Sequence, residues 1–177
     1  MVEKIKLDLE AFIEPEKAAF YPRFFQTGEG EYAEGDQFIG VRVPNQRKIA
    51  KKYYKAVSLR DIEQLLHSPI HEYRSVALIM LVYRYQKATP SDQEEIVRFY
   101  LENLNFVNNW DLVDVSADKI LGAFLFDKDR KILYTLAKTG HLWRQRVAVI
   151  ATFDFIRHGD FRDTLALAEL FLRHDHH

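Results

Sequence analysis

The sequence predicts an all-α fold built from stacked helix pairs: a HEAT-like helical-repeat solenoid (an α-α superhelix) with a concave groove. Three observations carry this. Apolar residues recur at helical spacing, as in Ile62, Leu65 and Leu66, then Val76, Ile79, Met80 and Tyr83, then Ile96, Phe99, Tyr100 and Leu104. No segment sustains the strict alternation of a half-buried strand. Helix-start chemistry also returns at intervals of roughly 30–40 residues, the period of HEAT-like repeats.

The elements follow in order. Gly28, Gly30, Gly35 and Gly40 fall within Thr27–Gly40, a stretch too long for a tight turn, which is expected to form an ordered surface loop leading into a helix over Pro44–Tyr54. That stretch has no Gly-Lys-Ser/Thr and no apolar strand before it, which argues against a phosphate-cradling loop, and its acidic residues would repel phosphate. Ser58 stands before Leu59–Leu66 with Asp61 in the first turn, favourable for capping and for the helix dipole. Ser68-Pro69 is expected to open the next helix, because a proline in the first turn forfeits no hydrogen bond. Thr89-Pro90 opens another. Asp127 is expected to begin the segment that stops at Gly140, a residue suited to the position after a helix. The predicted pairs are 58–66 with 69–86, 91–103 with 109–126 and 128–138 with 141–157. A last helix over 160–173 has no partner, so the expectation is one domain, 1–177, lacking its last C-terminal helices.

Composition sets further bounds. With 177 residues, 47% of them hydrophobic and 14% aromatic, the chain can bury a proper core and is not a disordered segment. No apolar run approaches the ~20 residues of a membrane helix, and the N-terminus lacks the basic and apolar regions of a secretory signal. A monomeric, cytoplasmic protein is expected. Cysteine is absent, which excludes disulfides, thiolate metal sites and cysteine nucleophiles together. No His/Glu metal spacing occurs either, and His174, His176 and His177 read as a solvated chain end, so neither metal nor cofactor is expected. The formal net charge of −1 argues mildly against a general nucleic-acid binder, which carries a basic excess.

The second helices of successive repeats can be overlaid: His71-Glu72-Tyr73-Arg74, Trp110-Asp111-Leu112-Val113-Asp114 and Trp143-Arg144-Gln145-Arg146. The overlay gives Arg74, Asp114 and Arg146 equivalent places, and equivalent positions of stacked repeats line one surface. Trp110 and Asp114 are i,i+4 neighbours and Trp143 and Arg146 are i,i+3 neighbours, so each pair shares a helix face. Two readings stay open on these residues alone. Tryptophan in a helical protein is usually core, and an Asp–Arg pair between helices is usually structural. Against that, both tryptophans belong to such pairs, and Asn108-Asn109 adds unusual polarity at a helix start.

The segments Phe38–Pro44, Asn108–Asp114 and Trp143–Arg146 closely resemble the DNA alkylation repair family, the AlkD-type alkylpurine DNA glycosylases, and the resemblance runs along essentially the whole chain. It implies a HEAT-like solenoid whose basic groove holds duplex DNA with alkylated bases. It also implies hydrolysis of the N-glycosidic bond of N3- and N7-alkylated purines without flipping the lesion into a pocket. By position it makes Asp114 the catalytic carboxylate, Trp110 the indole beside the lesion's deoxyribose and Arg146 the backbone-contacting arginine, with Phe24 near an aromatic groove position. Trp143 and Arg144 are carried over as DNA-binding neighbours of Arg146.

These roles cohere physically. An alkylated purine is already cationic and departs without a strong general acid. A carboxylate and aromatic faces then suffice to stabilise the oxocarbenium charge. Arg42, Arg47, Lys48, Lys51 and Lys52 cluster around one helix start and are candidates for phosphate contacts, each of them equally readable as a solvated face. The chain departs from the family in lacking the later helix that supplies a second indole and in its long acidic loop. The alternative reading is a non-catalytic HEAT-like scaffold that binds DNA or a protein through the same face.

Overall fold

The computed structural model describes residues 1–172, and among them the fold is all-α; the β pairing seen there is an isolated parallel bridge between Gln37 and Ile70. The helices are α1 (Val2–Glu10), α2 (Pro15–Phe24), α3 (Val43–Tyr53), α4 (Leu59–Leu66), α5 (His71–Tyr85), α6 (Pro90–Glu102), α7 (Trp110–Ala117), α8 (Ala123–Leu125), α9 (Lys131–Ala137), α10 (Leu142–Arg157) and α11 (Arg162–Phe171). A 3-10 turn, Leu104–Phe106, precedes α7, and a π-helical stretch, Asp118–Gly122, joins α7 to α8.

α3, α5, α7 and α10 pack side by side in that order. α4 lies against α5, α6 against α5 and the π-helical stretch, and both α9 and α11 against α10. Each second helix of a pair therefore stacks on the next, while first helices cover the other side, as a helical-repeat protein requires. One cluster of buried apolar residues runs from Val2 to Leu167. No helix of the described residues is long and apolar enough to cross a membrane.

Helix starts obey local chemistry where nothing distant competes. The Ser58 hydroxyl accepts from the Asp61 amide at 3.1 Å and the Asp61 carboxylate accepts from the Ser58 amide at 2.9 Å, a reciprocal capping box. The Thr89 hydroxyl caps α6 through the Asp92 amide. Several starts differ from expectation, two of them for a visible reason. α5 begins at His71 rather than at Pro69, because the Gln37 amide donates to the Pro69 carbonyl (3.1 Å) and the His71 amide to the Gln37 carbonyl (2.8 Å), holding Ile70 extended. α9 begins at Lys131, where the Asp129 carboxylate accepts from the Lys131 amide at 2.8 Å, while Asp127 pairs instead with Lys128. α1 and α2 were not anticipated as elements. The end of the helix expected over 160–173 and the histidines His174, His176 and His177 lie outside the described residues.

Thr27–Gly40 is not simply a surface loop. Ala33 and Asp36 are buried, and the segment crosses the N-terminal ends of α5 and α10. Gly40 has φ of 82°, and a Cβ there would stand 2.2 Å from the Glu14 carbonyl oxygen, so only glycine fits beneath the start of α2. A second close approach occurs at Gly122, where a Cβ would lie 2.2 Å from the Ala151 carbonyl oxygen of α10.

Candidate functional site

The buried Asn109 side chain accepts from the Trp110 amide at 2.8 Å and starts α7 there. With the helix register so set, Trp110 and Asp114 lie one turn apart on one face. α10 brings Arg146 up to Asp114: its Nε donates to Oδ1 at 3.0 Å and its Nη2 to Oδ2 at 2.8 Å. The two side chains are 35% and 37% exposed, so this bidentate pair faces solvent rather than the core.

Trp110 is half-buried in an aromatic group. Phe25 stacks on it at 5.5 Å with planes 23° apart, and Phe24 meets it edge-on at 6.1 Å. Phe24 is half exposed, so the groove position expected of it stands beside Trp110. Phe25 in turn stacks on Phe38 at 4.9 Å. Together with Tyr21 and Asp111, these rings line an open cleft of about 280 Å³.

Beneath the rings lies a buried charge network that sequence reasoning missed. His71 is almost fully buried; its Nδ1 is 3.2 Å from Asp36 and its Nε2 is 2.8 Å from Asp111. Arg74 forms an ion pair with Asp36 at 2.6 Å and donates to the Ser68 carbonyl. Burial works against the charge on Asp36, but hydrogen bonding to His71 and the Arg74 guanidinium outweigh it and hold the carboxyl below its usual range. Next to this, the buried Glu72 carboxylate accepts from the Ile39, Gly40 and Val41 amides, at 3.1, 2.7 and 3.2 Å.

Arg74, overlaid in the sequence on Asp114 and Arg146, differs from them in its surroundings. It is buried, and its partner comes from the loop rather than from the next repeat. Trp143 is buried as well, with Tyr32 of the loop against its ring at 5.6 Å, which makes it a packing residue rather than an exposed contact. Arg144 donates to Asn105 at 2.9 Å and ties α10 to the 3-10 turn. Among the basic residues near α3, Arg42 is clamped to Glu14 (2.9 and 2.7 Å) and Lys52 is bound to Asp8. Lys48 lies over the Phe12 ring at 5.3 Å, while Arg47 and Lys51 are exposed one turn apart on α3.

These features define a helical-repeat protein in which a solvent-facing carboxylate of one repeat is paired with a guanidinium of the next. Compared with protein families, the chain matches the model of the DNA alkylation repair enzymes over residues 5–177. It belongs to the DNA alkylation repair enzyme family, whose substrate is DNA. Among curated proteins, no sequence matches it.

Proposed function

We propose that the chain is a monofunctional DNA glycosylase, acting as a cytoplasmic monomer. It hydrolyses the N-glycosidic bond of N3- and N7-alkylated purines in duplex DNA without drawing the lesion into a pocket. The observation that carries this reading is the solvent-facing Asp114–Arg146 pair, one helical turn from Trp110. A carboxylate held by a guanidinium on one side keeps lone pairs free for a developing cation.

In the reaction the C1′–N bond breaks with its electron pair going to the cationic purine, which leaves neutral. The positive charge passes to the sugar, where the Asp114 carboxylate and the indole face of Trp110 stabilise it. Water adds at C1′ and its proton passes to Asp114 or to solvent. The guanidinium of Arg146 meets a flanking phosphate.

The test is release of free base from duplex DNA carrying 7-methylguanine, measured for wild type and Asp114→Asn. Release by the wild type that is abolished in the variant supports the assignment. No release by the wild type, or equal release by both, overturns it. The second reading, a non-catalytic scaffold that binds DNA or a protein through the same face, is favoured by the commitment of Arg42 and Lys52 to Glu14 and Asp8, which leaves fewer cations for phosphate. In the same experiment it predicts that no base is released.

A further inference from the structure

We infer that His71 is a positioning residue for this site: its ring, held between Asp36 and Asp111, fastens the Gly-rich loop to the first turn of α7 and so fixes the plane of Trp110. The activity part of this inference rests on the function proposed above; the structural part does not.

Both ring nitrogens of His71 face carboxylates, at 3.2 Å to Asp36 and 2.8 Å to Asp111. An ionised carboxylate only accepts, whereas a neutral imidazole has a single N–H. Both contacts are hydrogen bonds only if the ring is an imidazolium. The charged groups around it then balance: Asp36 and Asp111 against His71 and Arg74, with the neighbouring Glu72 already engaged by three amides of the loop. Asn108 adds a long contact to the other Asp36 oxygen, at 3.4 Å. Burial opposes the charge on His71, yet the bonds to Asp111 and Asp36 outweigh it and hold the ring above its ordinary value.

The aromatic rings carry this clamp to the reacting groups. Phe38 stacks on His71 at 4.7 Å and Phe25 lies against it at 4.9 Å. Phe25 also stacks on Trp110, so one phenyl ring touches both the imidazolium and the indole. Asp111 follows Trp110 in the chain, and its second oxygen is buried without a hydrogen-bond partner. His71 is thus the one donor to this carboxylate among the described residues. A neutral ring keeps a single N–H, so after loss of a proton His71 can donate to Asp36 or to Asp111 but no longer to both. The first turn of α7, with Trp110 on it, then has no tie to the loop through this ring.

The experiment uses Trp143→Phe protein, in which Trp110 is the sole tryptophan, and follows indole emission from about pH 5 to 9. The expected result is one transition with a midpoint above about 6.5, absent when His71→Gln is added. Proton NMR of the wild type is expected to show both imidazole N–H signals of His71 on the acid side of that midpoint. A midpoint at or below about 6.5, an emission unmoved by pH, or a transition that persists with His71→Gln overturns the inference. The wild-type measurements decide it even if His71→Gln fails to fold. On 7-methylguanine duplex, His71→Gln is expected to slow single-turnover release roughly tenfold while duplex affinity changes less than about twofold, the pattern of misplaced reacting groups. If the wild type releases no base, the glycosylase assignment fails while the fluorescence titration still tests His71.

Discussion

The carboxylate of Asp114 and the guanidinium of Arg146 are joined by two parallel hydrogen bonds, at 3.0 and 2.8 Å, between helices of adjacent repeats. The planar fork of arginine matches the two carboxylate oxygens, so each group orients the other before any substrate arrives. The pair is open to solvent, and its removal and its repair have separable consequences for activity and stability.

Replacing Asp114 with Asn is expected to reduce release of 7-methylguanine by at least about 10²-fold, the usual scale for removing a preorganised electrostatic interaction. Unfolding free energy is expected to change by less than about 1 kcal/mol, because a half-exposed ion pair contributes little. Base release and a denaturant titration on the same preparation check both.

Arg146→Lys keeps the charge but not the fork. Duplex affinity is expected to fall only slightly, while release falls roughly tenfold as Asp114 is no longer oriented. By contrast, Arg47→Gln with Lys51→Gln is expected to weaken binding and to make the slope of log affinity against log salt shallower by about 1 for each phosphate left unneutralised. An unchanged slope would remove these two residues from the interface.

Glu72→Gln tests the loop's anchorage. The native carboxylate, buried, accepts from three successive amides, and an amide side chain puts a donor where only acceptors fit. A destabilisation of about 3 kcal/mol or more is expected, given the strength of hydrogen bonds to charged groups and the cost of leaving buried amides unpaired. Urea unfolding measures it.

Stability is expected to decline at both ends of the pH range. Asp163, despite burial, is held below its usual range by hydrogen bonds from Tyr134 and Arg130. A depressed folded value means that its contribution is present above about pH 3.9 and is lost as pH falls through the lower folded value. His71 is raised, so its contribution is full below about pH 6.5 and is lost as pH rises through the folded value. Unfolding midpoints against pH for wild type, Asp163→Asn and His71→Gln separate the two limbs.

Helices with a local signature were legible in the sequence. Ser58 and Thr89 cap where their own neighbours predict, and the apolar spacing of α4 and α6 places Leu65, Leu66 and Tyr100 in the core. α2 was not legible because it buries none of its residues and carries Pro22 inside, so no apolar stripe marks it. At the site, the register of Trp110, Asp114 and Arg146 could be read because repeats align. The surroundings of Arg74 and Trp143 could not. Asp36 and Tyr32, which cover them, come from a loop of no periodicity. The network of His71 was hidden for the same reason: its two carboxylates lie 35 and 40 positions away.

Gly122 sits eight residues beyond Asp114, at the end of the π-helical stretch. Its missing side chain lets the chain press against the Ala151 carbonyl of α10. The spacing of the two backbones is thus determined at a point away from the Asp114–Arg146 pair. A methyl group there would collide with that carbonyl unless the two backbones moved apart. The gap between these two helices is gauged by a residue that has no side chain.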